Sequence, residues 1–291
     1  MSRIRVFFDL VKFEHTIFAL PFAYLGMALA SSMAANGWPG WNKFIWVTVA
    51  MAAARTLAMS ANRLVDRELD ARNPRTMNRP LPRGLISSHA VAVYAALSLV
   101  VLIVAAWQLN PLCLQLLPGA LVFLLGYHCA KRFTWMSHWI LGFTDGLAAP
   151  GAWVAVRGSI FTPADLAAWL LLFAVTFWIG GFDLIYACQD VEVDRRDGLH
   201  SIPADFSVAT ALTLARICHA LTVALLVGVG LAMNLSWPFW AGLVVITALL
   251  VYEHRLVSPH DLSRLDLAFF NMNGYISITV LVATVAALWV R

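Results

Sequence analysis

Charge is what this sequence has least of. Only 12% of its 291 residues are Asp, Glu, Lys or Arg, 61% are hydrophobic, and the mean hydropathy is +0.76. A soluble globule of this size cannot be covered by so few polar groups. The chain is therefore read as an integral membrane protein. Cysteine is scarce as well: Cys113, Cys129, Cys188 and Cys218 lie in or beside apolar runs with no C-x-x-C spacing, so neither a thiolate metal site nor a disulfide framework is expected. No linker or low-complexity stretch divides the sequence, which reads as one domain over residues 1–291.

What is abundant is long apolar runs. A spanning helix takes about 20 mostly apolar residues, and nine runs qualify, starting near His15, Lys43, Ala90, Pro111, His138, Pro163, Val208, Trp237 and Asp266. The expected fold is all-α and polytopic: nine transmembrane helices in two four-helix blocks plus one, around a central cavity. Basic residues collect in cytoplasmic loops. With the N-terminus inside, 17 of the 20 Lys and Arg fall at the inner face, and only Lys43, Arg157 and Arg291 fall outside. The net charge of +4 then reflects topology and gives no support to a nucleic-acid partner; the partner is the lipid bilayer. Trp38, Trp41, Trp107, Trp153, Trp237, Trp240 and Trp289 fall near outer helix ends, as an interfacial belt would. Ala28-Leu-Ala30 is reminiscent of a signal-peptide cleavage site, but the apolar run continues past it towards Met33, so the segment is read as the first span.

The scarce acids are not scattered. Eight of the 16 fall in two short segments, Asn62-Arg-Leu-Val-Asp66-Arg-Glu-Leu-Asp70 and Asp183-Leu-Ile-Tyr186-Ala-Cys-Gln-Asp190-Val-Glu-Val-Asp194-Arg-Arg-Asp197. Each follows the second helix of a four-helix block, so the two belong on one side of the membrane and face each other, an arrangement known from repeat-built membrane bundles. Helical residues three and four apart share a face. Asn62, Asp66 and Asp70 then form one polar ladder, and Asp183, Tyr186, Asp190, Asp194 and Asp197 another. Like charges at that spacing repel unless a cation sits among them. Mg²⁺, which takes one or two carboxylates together with waters and phosphate oxygens, suits both ladders, with Asp66, Asp70, Asp190 and Asp194 as ligands and Asn62 in support. The alternative is a solvated helix end.

Two inner loops follow the ladders, residues 71–88 and 195–207. The first carries Arg72, Arg75, Arg79 and Arg83, which match phosphate oxygens bidentately; the rival role is contact with anionic headgroups. His200 and Ser201 stand in the second. Arg55 lies seven residues before Asn62, on the same face and two turns deeper. An arginine at that depth needs an anionic partner, either a substrate carboxylate or Asp145. His15, His128, His138, His219 and His254 are scattered and read as interfacial or core histidines.

With these residues in place, the whole chain resembles the UbiA superfamily of intramembrane prenyltransferases. The signatures are N-x-x-x-D-x-x-x-D after the second helix, here Asn62, Asp66 and Asp70, and D-x-x-x-D after the sixth, here Asp190 and Asp194. Asn78-Arg79-Pro80-Leu-Pro82-Arg-Gly84 is similar to the arginine-proline loop of the 4-hydroxybenzoate branch, and Asp183-x-x-Tyr186-x-x-x-Asp190 is similar too. Arg55 matches the arginine with which that branch meets its aromatic acid. Where many ubiquinone-pathway members have Lys-Ser, this chain has His200-Ser201, and the surrounding string resembles a subgroup associated with menaquinone made through futalosine.

The resemblance implies a multi-pass protein of the bacterial inner-membrane type, with N-terminus and active site cytoplasmic and C-terminus outside. It implies Mg²⁺-dependent transfer of a polyprenyl group from polyprenyl diphosphate to an aromatic acid in quinone biosynthesis, by ionisation of the diphosphate and electrophilic ring substitution. The acceptor is 4-hydroxybenzoate or 1,4-dihydroxy-6-naphthoate. Asp66, Asp70, Asp190 and Asp194 are the expected metal ligands. Arg55, Asn62, Arg72, Arg75, Arg79, Asp183, Tyr186, Asp197 and His200 are the expected substrate contacts. Two other classes fit the composition: a cation-coupled transporter of an organic anion, and a non-catalytic lipid-binding scaffold.

Overall fold

In the computed structural model the chain is described over residues 3–12, 16–34 and 37–290, and those residues are almost wholly helical. His15 and Arg291 lie outside the described residues. The long helices are α2 (Thr16–Ser32), α3 (Trp41–Val65), α5 (Ser88–Leu109), α6 (Pro111–Ala130), α9 (Leu166–Ala187), α12 (Val208–Ala232), α13 (Trp237–Leu256) and α14 (Asn273–Trp289). A further span is made of two pieces, α7 (Ser137–Gly146) and α8 (Ala148–Arg157). Short helices α1 (Arg3–Val11), α4 (Arg67–Arg72), α10 (Val191–Asp197) and α11 (Ile202–Asp205) complete the set. Among the described residues eight segments are long and apolar enough to cross a membrane, and α2, apolar over Leu20–Ser32, occupies the place of the remaining expected span.

Local sequence explains the turns between spans. The Ser87 hydroxyl caps α5 by accepting from the Ala90 N–H (3.2 Å), and Asn110 ends α5 and starts α6 at once. Its Oδ1 accepts from the Cys113 N–H (2.9 Å), Pro111 occupies the first turn, and its Nδ2 donates to the Val154 carbonyl of α8 (2.8 Å). Side-chain capping and proline at the helix start satisfy backbone groups that a bilayer would leave unpaired.

The spans pack roughly in chain order around the bundle, and α14 closes the ring against α2. Close approach depends on small residues, as it does where lipid provides no hydrophobic drive. Gly142 of α7 lies on the Thr176 carbonyl of α9 and Gly26 on the Ala149 carbonyl of α8, where a Cβ would collide. Helix α9 is the innermost span, 72% of its apolar window being buried against 11% for α6. Leu97, Val100, Val122 and Val244 stand on the outside as a lipid-facing surface. Trp38, Trp41, Trp107, Trp237 and Trp289 are exposed as a belt requires, but Trp153 is fully buried and donates its indole N–H to Asp165 (2.8 Å). The belt reading fails for Trp153 because α8 packs inward between α2 and α9.

Candidate active site

Neither acidic ladder runs along an unbroken helix. Asp66 ends α3 and begins α4 with φ −95° and ψ 10°, and Asp190 begins α10 with φ −101° and ψ 4°. These angles lie in the sparsely allowed bridge region. The backbone hydrogen bonds Asp66 N–H to Asn62 (2.9 Å), Asp70 N–H to Asp66 (2.7 Å) and Asp194 N–H to Asp190 (2.8 Å) persist through the breaks. The i,i+4 spacing is kept while each long span hands over to a short helix. Neither aspartate caps its short helix with its side chain, so the carboxylates remain available to other partners.

Those partners are mostly cations. Asp66, 3% exposed, accepts from Lys131 Nζ (2.7 Å), Arg132 Nη2 (2.9 Å) and Asn62 Nδ2 (3.3 Å). Asp70, 6% exposed, accepts from Arg79 Nη1 (2.6 Å), and Arg63 Nη1 lies 3.7 Å from its other oxygen, Oδ2, which has no hydrogen-bond partner. Arg75 clasps Asp190 with Nε (3.1 Å) and Nη2 (2.7 Å), while its Nη1 donates to the Tyr186 hydroxyl (3.0 Å). Asn73 Nδ2 also donates to Asp190 (3.3 Å). The loop after α4 therefore reaches across to the second cluster and ties the two together. Although burial opposes it, the hydrogen bond and charge of Asp190 hold the Arg75 guanidinium above its ordinary pKa. Among the described residues Asp194 accepts only from the Ser201 hydroxyl (2.9 Å); burial, with the charge of Asp190 adding to it, pushes its carboxyl up to about 6.

Asp183 and Tyr186 lie on the α9 face that leads to Asp190. The Asp183 Oδ2 is 2.7 Å from His138 Nδ1, and Tyr186 stacks on Phe269 at 4.0 Å between ring centroids. Arg55 lines a cavity of about 410 Å³ between α3, α5, α6, α7 and α8, together with Tyr127, Thr144, Asp145 and many aliphatic side chains. Its Nη2 donates to the Lys12 carbonyl (3.5 Å), and its buried Nε has no partner among the described residues. Among the described residues no carboxylate, Asp145 included, forms an ion pair with Arg55.

Three expected contacts stand elsewhere. Arg72 lines a separate surface groove with Arg67, Glu68 and Arg132, and its carbonyl accepts from Arg196. Asp197 is taken by Arg196 (3.0 Å) and His200 pairs with Asp205 (3.1 Å). Asp197, expected from helical spacing, lies past the break at Asp190, while Arg72 and His200, expected from the two loops, sit where a short helix or turn redirects the chain away from the carboxylates. Conversely, Arg63, Asn73, Lys131 and Arg132 touch the site without a signal in the sequence pattern that marks them for it, as do His138, expected as an interfacial or core histidine, and Ser201, expected only as a neighbour of His200. Lys131-Arg132 is the one adjacent basic pair in the loop between the fourth and fifth spans, and it was read only as topology. Among the described residues no three His, Cys, Asp or Glu groups stand at metal-binding separation. The oxygen-only donor set of hard carboxylates and the orphaned buried Asp70 Oδ2 nevertheless fit a hard dication that displaces the resident cations.

Residues 19–275 match the model of the UbiA prenyltransferase family. The 4-hydroxybenzoate octaprenyltransferase of Cupriavidus metallidurans is 31% identical over 288 residues, covering 98% of this chain and 95% of its own. The protein of the same name from Methylobacillus flagellatus is 32% identical over 263 residues, covering 89% and 86%. Among solved structures, an apo UbiA homologue from Aeropyrum pernix superposes with a TM-score of 0.84 at 30% identity over 94% of this chain and 98% of that one. A UbiA homologue from Archaeoglobus fulgidus bound to GPP and Mg²⁺ shares the fold, with a TM-score of 0.70 at 19% identity over 98% and 99%.

Proposed function

Because the chain belongs to the UbiA prenyltransferase family, we propose that it transfers a polyprenyl group from a polyprenyl diphosphate to an aromatic acid of the 4-hydroxybenzoate type. The observation that carries this reading is the pairing of two charge-dense chain breaks, joined by Asn73 and Arg75, with an apolar cavity into which Arg55 brings a buried Nε unpartnered among the described residues. Family membership removes the transporter and scaffold readings. The relatives' names favour 4-hydroxybenzoate and an octaprenyl donor for this chain.

Asp66, Asp70, Asp190 and Asp194 would hold Mg²⁺, which when bound neutralises charge on the leaving diphosphate. Arg75, Arg79, Lys131 and Arg132, freed from their carboxylates by that exchange, are placed to bind the diphosphate oxygens. The prenyl tail lies in the cavity, where aliphatic walls exclude water and protect the allylic cation formed when the C–O bond breaks. Arg55 binds the acceptor's carboxylate and aims the electron-rich carbon beside the ring hydroxyl at that cation. The carboxylate end faces the cytoplasm, following the basic bias.

The test is product mass from purified protein given octaprenyl or shorter prenyl diphosphate and Mg²⁺, with 4-hydroxybenzoate and 1,4-dihydroxy-6-naphthoate in separate reactions. A C-prenylated 4-hydroxybenzoate that disappears with EDTA is the expected result. Product from the naphthoate alone moves the acceptor to that acid. Folded protein giving neither overturns Arg55 as a carboxylate clamp.

A further inference from the structure

Prenylation leaves one proton to be removed, because the attacked ring carbon keeps its hydrogen until aromaticity is restored. The carboxylates of the two clusters are poor candidates to take it. Asp66, Asp70 and Asp190 are ion-paired to Lys or Arg, and with Asp194 they are the groups assigned to the cation. Asp183 differs from all four. On the most buried span of the bundle it keeps a side chain 24% exposed, on the same face as Tyr186 and Asp190, so it is not sealed in the core.

His138 fixes how that carboxylate is presented. The imidazole is buried, and its Nε2 accepts the backbone N–H of Ile202 (3.3 Å). The neutral ring satisfying this contact carries its proton on Nδ1, which then donates to Asp183 Oδ2 at 2.7 Å. Oδ2 is occupied and held. Oδ1 has no hydrogen-bond partner among the described residues and is not among the buried unpartnered atoms, so it is the oxygen facing the open space.

Its location suits the reaction. Asp145 feels the charges of both Arg55 and Asp183, and Asp194 feels that of His138. Asp183 is thus near enough to Asp145, a wall of the Arg55 cavity, and through His138 to Asp194, for their charges to interact. Asp145 sits beside the clamp itself, at the far end of the acceptor from the bond being made.

Resting on the function proposed above, we infer that Asp183 is the base that removes the ring proton, with His138 as its positioning residue. The C–H bond of the prenylated ring carbon breaks, its electron pair restores the aromatic system, and the proton goes to Asp183 Oδ1 to give a neutral carboxylic acid. That acid returns to carboxylate by passing the proton to released diphosphate or to water. A positioned carboxylate of this kind is worth about 10²–10⁴ in rate.

The experiment compares 4-hydroxybenzoate with its ring-deuterated form in single-turnover product formation by wild type, Asp183→Asn and Asp183→Glu. Asparagine keeps an oxygen for His138 and changes no volume; glutamate keeps the carboxylate. Wild-type protein that makes no prenylated acid condemns the proposed function rather than this inference. With product formed, wild type is expected to show little isotope effect, because ionisation limits the rate. Asp183→Asn is expected to lose about 100-fold and to show a primary isotope effect, while Asp183→Glu recovers rate and loses the isotope effect. His138→Phe is expected to fall between, with a smaller isotope effect than Asp183→Asn. An Asp183→Asn protein with unchanged rate, or slowed equally on both acceptors, overturns the assignment. If Asp183→Asn fails to fold, the His138→Phe isotope effect decides: a value no different from wild type rejects the assignment.

Discussion

Asp66 and Asp190 occupy the same place in the two halves of the molecule, each ending a long span in the bridge region and opening a short helix, yet their charges are balanced differently. The first cluster is compensated from its own half. Arg63 and Arg79 attend Asp70, Lys131 and Arg132 attend Asp66, and both carboxylates are buried. The second borrows its compensation. Arg75 and Asn73, which hold Asp190, come from the loop after the first cluster, and Asp194 has only a serine hydroxyl. The basic residues inside the second motif are spent elsewhere, Arg195 on the Ala204 carbonyl and Arg196 on Asp197. One half thus supplies positive charge in excess and the other carboxylates short of it. On that balance of charge, the proposed dication is expected first at the second cluster and the proposed anionic leaving group at the first.

The comparison is broken most directly at the paired aspartates. Asp66→Asn and Asp190→Asn are each expected to reduce prenyl transfer by about 1000-fold, but only the first should also unfold the protein more easily. Removing the Asp66 charge strands two cations at a buried site, at a cost of about 1–3 kcal/mol once the partial exposure of Lys131 and Arg132 is allowed for. Asp190 is itself less buried, 15% exposed against 4% for the Asp66 side chain, and its loss leaves one arginine where that of Asp66 leaves two cations. Thermal melts in detergent beside the activity assay check this, and equal destabilisation by the two changes would show that the halves are not specialised. Arg75→Ala should cost less, about 10–100-fold in activity, seen mainly as weaker diphosphate binding. Arg75→Lys should not restore it, because a single ammonium cannot reproduce the fork on Asp190 and Tyr186.

How much of this was readable beforehand differs between spans and breaks. Apolar run length placed the starts of eight spans closely, because the bilayer sets both length and composition; the run at Lys43 begins α3 at Trp41 and the run at Val208 begins α12. The four central aspartates were legible for a related reason, since charge is rare enough here to be conspicuous. What periodicity did not convey was the change of direction at Asp66 and Asp190. Extending one helical face across Asp190 gathers Asp197, the loop arginines and His200 are taken from position in the two loops, and neither signal points to Lys131, Arg132 or a site role for His138. Those three come from the chain near the α6–α7 turn, which only tertiary packing brings to the site. Nor did any local pattern announce the division of the fifth span into α7 and α8, or the π-helical turn Leu267–Met272 that sets Phe269 against Tyr186.

The smallest expected effect tests the charge shortfall at the second cluster without reference to turnover. With burial holding its carboxyl up near 6, Asp194 binds a proton more tightly in the folded chain than in the unfolded one. That contribution to stability is present in full below the ordinary carboxylate range and is lost as pH rises through about 6. Metal-free protein should therefore melt at a lower temperature at pH 7.5 than at pH 5 by whatever share Asp194 contributes, and Asp194→Asn should remove that share. Adding Mg²⁺ at the higher pH should raise the melting temperature of wild type and not of Asp194→Asn, because a dication supplies the charge that the proton supplied at low pH. The matching change in the first cluster, Asp70→Asn, should leave the pH step in place, since the charge of Asp70 is already met by Arg79 and Arg63. A pH step that vanishes in both variants alike would mean that the two clusters titrate as one, and that the division between a compensated half and a borrowing half is not how the site is built.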